Sequence, residues 1–413
     1  MTSSRPHPTL EALETAKRLA TQFIETLPDR PVSARASFAE LCAALGGPLP
    51  LTPGDPAAVV QALATAVEPG LMASAGPRYF GFVIGGGVPA ALGADWLTAV
   101  WDQNAALAVS SPAAAAAEAV AASWILELLG LPAGAGVGFV TGCQMANFSG
   151  LLAARHAVLA RAGWDVERDG LFGAPEVNVL IGEEAHATVL SALRLLGLGE
   201  GRAIRVAADE QGRMIPEALR EKLDTLHGPT IVAAQAGNVS TGAFDPLRAI
   251  VPMVRAKGAW LHVDGAFGLW AAVDPARRSL LEGVDGADSW ATDAHKWLNV
   301  PYDSGIVIVR DPENLSAAIT KSAAYLIRST EEARDNHDFT PESSRRARGF
   351  AIWAALRSLG REGLAAMVSR CCDLATLMST RLKAGGVVLL NDVVLNQVLV
   401  RFEPSGARDA DAF

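Results

Sequence analysis

From about residue 136 onward, short apolar runs alternate with longer stretches of helical periodicity. The apolar runs span residues 137–141, 177–181, 203–206, 230–235, 260–264, 289–292 and 305–309, and helical patterns follow several of them, at 146–160, 187–196 and 247–256. Strands that alternate with helices favour parallel pairing, with helices packed on both faces of the sheet. We therefore predict an α/β fold with a mainly parallel central sheet between helices.

The sequence on either side of this region does not show the same alternation of strands and helices. Residues 1–75 are predicted to form an N-terminal helical segment with proline-rich breaks, and residues 76–320 a large domain. Residues 321–413 are predicted to form a smaller C-terminal domain. Within it we expect an exposed polar segment at 322–348, helices at 347–359 and 363–384, and a strand pair at 387–390 and 397–402.

The charge balance argues against nucleic acid as a partner. The chain has 35 basic and 44 acidic residues, which gives a formal net charge of −9. A duplex-binding protein usually has a basic excess or a basic stripe. The densest basic cluster, Arg345, Arg346 and Arg348, is better explained by a solvated surface or by ion pairs.

The cysteine pattern indicates a reducing compartment, and we predict a cytoplasmic protein. Cys42, Cys143, Cys371 and Cys372 form neither a disulfide framework nor a zinc-binding spacing, so no metal is expected. The N-terminus has no apolar signal core. The apolar stretch 112–131 is interrupted by two glutamates, and we interpret it as a buried helix rather than a membrane span.

Two polar clusters directly follow predicted strands. Lys296 lies in the segment DAHKW after the run at 289–292, and Asp264 ends the run at 260–264. Lys296 could be an ordinary surface lysine, but a buried lysine with a depressed pKa suits Schiff-base chemistry. Asp264 could be a turn or helix-capping residue, but a carboxylate there could also keep a heterocyclic nitrogen protonated.

Three further turns lie at other predicted strand ends. Residues 138–147 (GFVTGCQMAN) form a strand, a turn of small residues and a helix start, which can bind an anion such as phosphate. His186 follows the run at 177–181, where it is either structural or a candidate acid, base or ring-stacking residue. The turn at 236–245 (AGNVSTGAFD) is either an ordinary loop or a polar contact site.

Taken in this order, the five segments resemble the group II pyridoxal-5′-phosphate (PLP) amino-acid decarboxylases, in particular those related to aromatic-amino-acid decarboxylase. TDAHKWLNVPYDSG at 292–305 is similar to the lysine motif of that family, and HVDGAFGLWA at 262–271 to its aspartate motif. The resemblance extends from about Arg78 to Arg401. It implies the aspartate-aminotransferase-like fold (fold type I), with a PLP-binding domain at 76–320 and a shortened small domain at 321–413.

The resemblance also implies a role for each candidate residue. Lys296 would hold PLP as a Schiff base, Asp264 would pair with the pyridine nitrogen, and His186 would stack on the ring and assist proton transfer. The other implied cofactor contacts are Gly142, Cys143 and Gln144 at the phosphate, with His295 nearby, and the polar residues Asn238 and Ser240. The substrate pocket would include Tyr79, Phe80 and Phe82, often contributed across a homodimer interface.

The activity implied is that of a carboxy-lyase acting on an L-amino acid, with an aromatic or apolar side chain favoured by Tyr79, Phe80 and Phe82. Three alternatives stay open: another fold type I PLP enzyme such as an aminotransferase or carbon–carbon lyase, a decarboxylation-coupled aldehyde synthase, and a non-catalytic PLP-fold binding protein. Met145 stands where the family usually has a glutamate, and residues 330–344 contain no tyrosine, although His337 lies there. We also expect the C-terminal domain to be incomplete.

Overall fold

The computed structural model describes residues 7–320 and 334–402. The chain divides into two compact units, Met1–Gly86 and Gly87–Phe413. The domain limits predicted above at residues 75 and 320 stay predictions.

The N-terminal unit contains three helices whose starts are set by capping side chains. The helices are α1 (Pro8–Thr26), α2 (Phe38–Leu45) and α3 (Pro56–Val67), and α1 packs against α3. Ser37 and Glu40 form a reciprocal capping box on α2, and Asp55 accepts from the Ala58 N–H at the start of α3. None of the three helices contains a fully buried residue.

The second unit is built on a seven-stranded sheet with the order β1-β7-β6-β5-β4-β2-β3. Strands β2 to β6 pair in parallel, and β7 runs antiparallel to both of its neighbours, so the predicted mainly parallel sheet is confirmed. The strands are β1 (Gly136–Val140), β2 (Asn178–Gly182), β3 (Ile204–Val206), β4 (Thr230–Gln235), β5 (Trp260–Asp264), β6 (Ser289–Asp293) and β7 (Gly305–Val309).

Helices lie between and around these strands. The remaining helices are α4 (Pro89–Trp101), α5 (Pro112–Leu129), α6 (Cys143–Arg161), α7 (Val166–Asp169), α8 (Ala187–Leu195), α9 (Pro216–Thr225), α10 (Leu247–Ala256), α11 (Pro312–Ile319) and α12 (Gly349–Ala384). Helix α6 packs across β5, β6 and β7 and buries Leu151, Ala154 and Val158 in the core. This packing places the N-terminus of α6 at the carboxyl ends of the parallel strands.

The C-terminal region differs in detail from the prediction. The two predicted helices form one run, α12, which is kinked at Gly360, where φ is 61°. The predicted strand pair is present as two short antiparallel strands, β8 (Val388–Leu389) and β9 (Val400–Arg401).

The prediction of an exposed segment at 322–348 is wrong for its described part, and residues 321–333 lie outside the described residues. Asp335, His337 and Arg345 are buried, because each has a polar partner inside the fold. Asp335, for example, accepts from the Ala108 N–H at 2.9 Å.

The cluster of three arginines is an ion-pair cluster, as predicted. Arg345 pairs with Glu118 of α5 at 2.8 Å, and both side chains are almost completely buried. Arg346 pairs with Asp95 at 2.7 Å, and Arg348 with Asp303 at 3.0 Å. In the described part of the chain α5 is the one helix long and apolar enough to cross a membrane, but its Glu118 is held inside the fold by Arg345.

Replacing Arg345 with methionine should destabilise the protein by about 3–5 kcal/mol, because it leaves the Glu118 carboxylate buried without its partner. The half-exposed Arg346 provides the control, since Arg346→Met should cost about 1 kcal/mol or less. Urea unfolding of both variants measures these losses. Adding Glu118→Leu to Arg345→Met should restore part of the stability. Equal losses for the two single variants would contradict the assignment.

Candidate active site

Lys296 lies just beyond the end of β6 and is held by a buried carboxylate. Its Nζ is 3.0 Å from Oδ2 of Asp293, the last residue of β6, which is 2% exposed. The other oxygen of Asp293 accepts from the Cys143 N–H at 2.6 Å, at the first residue of α6. His295 Nε2 is 3.3 Å from the same oxygen. One carboxylate therefore links the lysine to the helix N-terminus.

The expected depression of the Lys296 pKa is wrong. Burial disfavours the charged ammonium, but the attraction of Asp293, with smaller contributions from Cys143 and Asp264, is stronger and raises the pKa of Lys296. Burial in turn raises the pKa of the Asp293 carboxyl despite the nearby lysine. The ion pair with Asp293 thus favours the protonated form of Lys296.

Asp264 lies at the end of the neighbouring strand, β5, and is 5% exposed. Its Oδ2 accepts from Asn147 Nδ2 at 3.0 Å, and its Oδ1 accepts from the Ala266 N–H at 3.2 Å. The thiol of Cys143 lies 3.5 Å from Oδ1. Several donors around one carboxylate fix its orientation.

The side-chain oxygen of Asn147 is hydrogen-bonded to a fully buried histidine, His262. His262 Nε2 lies 2.9 Å from Asn147 Oδ1, and His262 Nδ1 lies 2.8 Å from the hydroxyl of Ser289. That hydroxyl accepts from the indole N–H of Trp260 at 2.9 Å. Burial lowers the pKa of His262 to about 4, although Asp264 opposes the shift, so the ring is neutral near pH 7.

His186 lies just before α8, across a small cavity from Asp264. The cavity is lined by Gly182, Ala233 and Gln235 as well as by His186 and Asp264. His186 Nδ1 is 2.8 Å from the hydroxyl of Thr188, and this hydroxyl is 3.2 Å from Asn147 Nδ2. The two predicted ring-contacting residues are therefore connected through one asparagine.

The turn predicted to hold phosphate is narrow because two glycines meet there. A Cβ on Gly305 would lie 2.5 Å from the backbone of Gly142, and a Cβ on Gly142 would lie 3.2 Å from the imidazole of His295. Gly142 provides no side-chain cap for α6. Gln144 follows in the first turn of the helix, while Met145 packs against the hydrophobic core. Gly142, Cys143, Gln144 and His295 are thus brought together.

The remaining predicted residues lie elsewhere. Asn238 is buried, and its side-chain oxygen accepts from the N–H groups of Ser240 and Thr241, which closes its own turn. Ser240 is exposed. Their cofactor contacts stay a prediction.

Tyr79, Phe80 and Phe82 lie in the N-terminal unit, in an irregular segment after its helices. Phe80 and Phe82 are exposed, and Phe82 has a φ of 56°. Their role as substrate contacts stays a prediction.

Sequence reasoning missed two site residues, Asp293 and Asn147. Asp293 stands three residues before Lys296 at the end of a predicted strand, which is a usable signal for an ion pair. Asn147 carries no such signal, because in the sequence it is an ordinary helix residue. Its role depends on the packing of α6 against β5.

A paired lysine, a buried carboxylate and a helix N-terminus lie together at the edge of the α/β sheet where such folds bind ligands. The chain matches the family model for the pyridoxal-dependent decarboxylase conserved domain over residues 47–402. It belongs to this family, whose cofactor is pyridoxal phosphate.

Individual relatives agree with this assignment. The chain is 30% identical over 321 residues to tryptophan decarboxylase 1 of Oryza sativa subsp. japonica, an alignment that covers 73% of this chain and 62% of that protein. It is 31% identical over 326 residues to L-2,4-diaminobutyrate decarboxylase of Rhizobium meliloti (strain 1021), covering 76% of this chain and 61% of that protein. The chain thus spans less than two thirds of the length of these relatives.

The predicted fold is confirmed by likeness to a solved structure. A crystal structure of Oryza sativa TDC with PLP and tryptamine matches with a TM-score of 0.90 at 24% identity, over 98% of this chain and 85% of that chain.

The residues at the sheet edge fit this cofactor. Asp264 offers an ordered carboxylate on the wall of the cavity that also contains His186. Gly142 and Gly305 let two backbone segments approach closely at the start of α6, and a helix N-terminus attracts a phosphate.

The apo-protein should lose stability as the pH falls from about 6.5 towards about 4, because the folded protein binds the His262 proton less tightly than the unfolded chain does. Above this window the contribution is fully present, and below it up to about 3 kcal/mol is lost. Urea unfolding at several pH values measures the slope.

In His262→Gln this part of the slope should be absent, since glutamine does not titrate. His227→Gln, which changes an exposed histidine, should keep the wild-type slope. An unchanged slope in His262→Gln would refute the assignment.

Proposed function

We propose that the protein is a PLP-dependent carboxy-lyase that decarboxylates an L-amino acid. The main support is the arrangement of Lys296 and Asp264, which end adjacent parallel strands beside the N-terminus of α6. Membership of the pyridoxal-dependent decarboxylase family supports the reaction type.

Each residue has a chemical task in this proposal. When bound, PLP supplies an electron-accepting ring for the pair left by loss of carbon dioxide. Lys296 would carry the cofactor through Nζ, and Asp264 would hold a proton at the ring nitrogen. Asp293, 3.0 Å from Nζ, would hold the lysine side chain in position. The first turn of α6 would bind the phosphate.

We propose a substrate with an aromatic or apolar side chain. Tyr79, Phe80 and Phe82 support this preference, as does the likeness to a tryptophan decarboxylase. The likeness to a diaminobutyrate decarboxylase supports a cationic side chain instead, so both classes belong in the substrate screen.

Lys296→Ala should abolish both the visible absorbance band of lysine-linked PLP and carbon dioxide release, because the covalent attachment is lost. The purified protein and the variant are compared by absorbance and by carbon dioxide release from a panel of amino acids. Lys257→Ala, which changes a lysine paired with Asp224 on the surface, should behave as wild type. Identical spectra for wild type and Lys296→Ala would refute the proposal.

The same assay distinguishes two products. Amine without peroxide indicates simple decarboxylation, whereas aldehyde with peroxide indicates the coupled oxidative reaction. The lack of tyrosine in residues 330–344 supports testing the second outcome. His337, the candidate substitute, is buried in a short 3-10 turn beside Asp338.

We further propose that the protein is a cytoplasmic homodimer. The four free cysteines support the cytoplasmic location. The dimer is supported by large apolar side chains left exposed on the N-terminal unit, among them Leu10, Phe38, Val59 and Leu63.

Sedimentation equilibrium should give twice the chain mass of 43.0 kDa. Leu10→Glu should weaken the dimer because it puts a charge into the apolar surface, whereas Glu11→Gln on the same helix should not. A monomer at all concentrations would contradict the dimer.

A further inference from the structure

Beneath the predicted cofactor-contacting residues runs an unbroken chain of side-chain hydrogen bonds. It starts at Trp260, passes through Ser289 and His262, and reaches Asn147. At Asn147 it divides, with one branch to Asp264 at 3.0 Å and one to Thr188 at 3.2 Å. The Thr188 branch continues to His186. Asn147, His262 and Ser289 each have an exposed fraction of 0%.

Elementary donor and acceptor rules fix the direction of the buried half. The NH₂ group of Asn147 faces the Asp264 carboxylate, so its Oδ1 faces His262 Nε2, which must donate to it. The neutral imidazole then has an unprotonated Nδ1, which accepts from the Ser289 hydroxyl. Ser289 in turn accepts from the indole N–H of Trp260, which can only donate.

The same rules fix the two branches. The NH₂ group of Asn147 has two protons, which match the Asp264 carboxylate and the Thr188 hydroxyl. Because Thr188 accepts from Asn147, its own proton goes to His186 Nδ1, which also accepts from the Thr188 backbone N–H at 3.3 Å. His186 must then carry its proton on Nε2.

We propose that Asn147 is a positioning residue that sets the carboxylate of Asp264 and the tautomer of His186 together, with Trp260, Ser289 and His262 holding its amide in place. The proposal rests on the proposed function, since it concerns the same site. A plain core asparagine would need only satisfied hydrogen bonds. Here one proton of the amide goes to Asp264 and the other reaches His186 through Thr188, and Asp264 and His186 line the same cavity.

The packing of α6 supports the proposal. A Cβ on Gly150 would lie 2.8 Å from Cε1 and 2.9 Å from Nδ1 of the His262 ring. The helix therefore has no side chain at the one point where the imidazole passes beneath it. Any larger residue would push the ring away from Asn147, one turn earlier on the same helix.

The first test uses the cofactor-free protein. Nitrogen-15 labelling of histidine reports the tautomer of each ring by NMR, and wild type should show His262 and His186 protonated on Nε2. Asn147→Leu, which keeps the volume but removes the amide, should leave His186 in a mixture of tautomers. Thr188→Val should do the same, whereas Thr188→Ser should keep the wild-type signal.

The second test measures PLP binding. Asn147→Leu should raise the dissociation constant about tenfold or more, because the charged Asp264 loses a buried donor. It should also shift the pH midpoint of the visible absorbance. Thr188→Val should change affinity less, since it leaves the Asp264 branch intact. Thr98→Val, at another buried helical threonine, should change neither quantity.

The outcomes separate the two proposals. A folded Asn147→Leu protein with a wild-type His186 signal and PLP affinity within about twofold of wild type overturns the positioning role. If Asn147→Leu does not fold, Ser289→Ala provides the same comparison, because it frees His262 and with it the amide. A wild-type protein without any Lys296-dependent absorbance overturns the proposed function instead, and the NMR comparison in cofactor-free protein still decides the network.

Discussion

The parallel pairing of β5 with β6 is the constraint on which the site depends. Its register places Asp264 opposite Ala291, two residues before Asp293 and five before Lys296. Both strands therefore deliver their polar residues to the same edge of the sheet. The antiparallel strand β7 covers the far side of β6 and brings Gly305 against Gly142, so the α6 turn and the lysine are packed together.

Buried polar groups at this edge need hydrogen-bond partners. Asp293 does so by accepting from the α6 backbone and from Lys296, and Asp264 by accepting from Asn147 and Ala266. A buried carboxylate with too few donors would become protonated and lose its function. The same hydrogen bonds that make burial tolerable thus also hold the groups in position.

The sequence was sufficient to predict the strands and the residues at their ends. Three predicted strands coincide with the observed ones, because each is a short apolar run that ends in polar residues. Lys296 and Asp264 could be predicted for the same reason. Period and composition report burial along one element, and both residues lie at or just after the end of an apolar run.

What could not be predicted depends on distances between elements. The raised pKa of Lys296 requires Asp293 at 3.0 Å, and spacing alone did not reveal whether the lysine was paired. The burial of Arg345 depends on its ion pair with Glu118, which is more than 200 residues away in the chain. Such long-range pairs leave no periodic trace in a single sequence.

The hydrogen bonds around Asn147 depend both on single elements and on how those elements pack together. The residues involved come from β5, β6, α6 and the start of α8, and each looks unremarkable within its own element. The direction of the hydrogen bonds is defined only when these residues contact one another. It runs from the indole donor of Trp260 to the carboxylate of Asp264. Because the links among the buried residues each have one donor and one acceptor, reversing the Asn147 amide or the His262 tautomer would leave a buried group unpaired. These buried hydrogen bonds therefore hold the Asn147 amide in one orientation relative to Asp264.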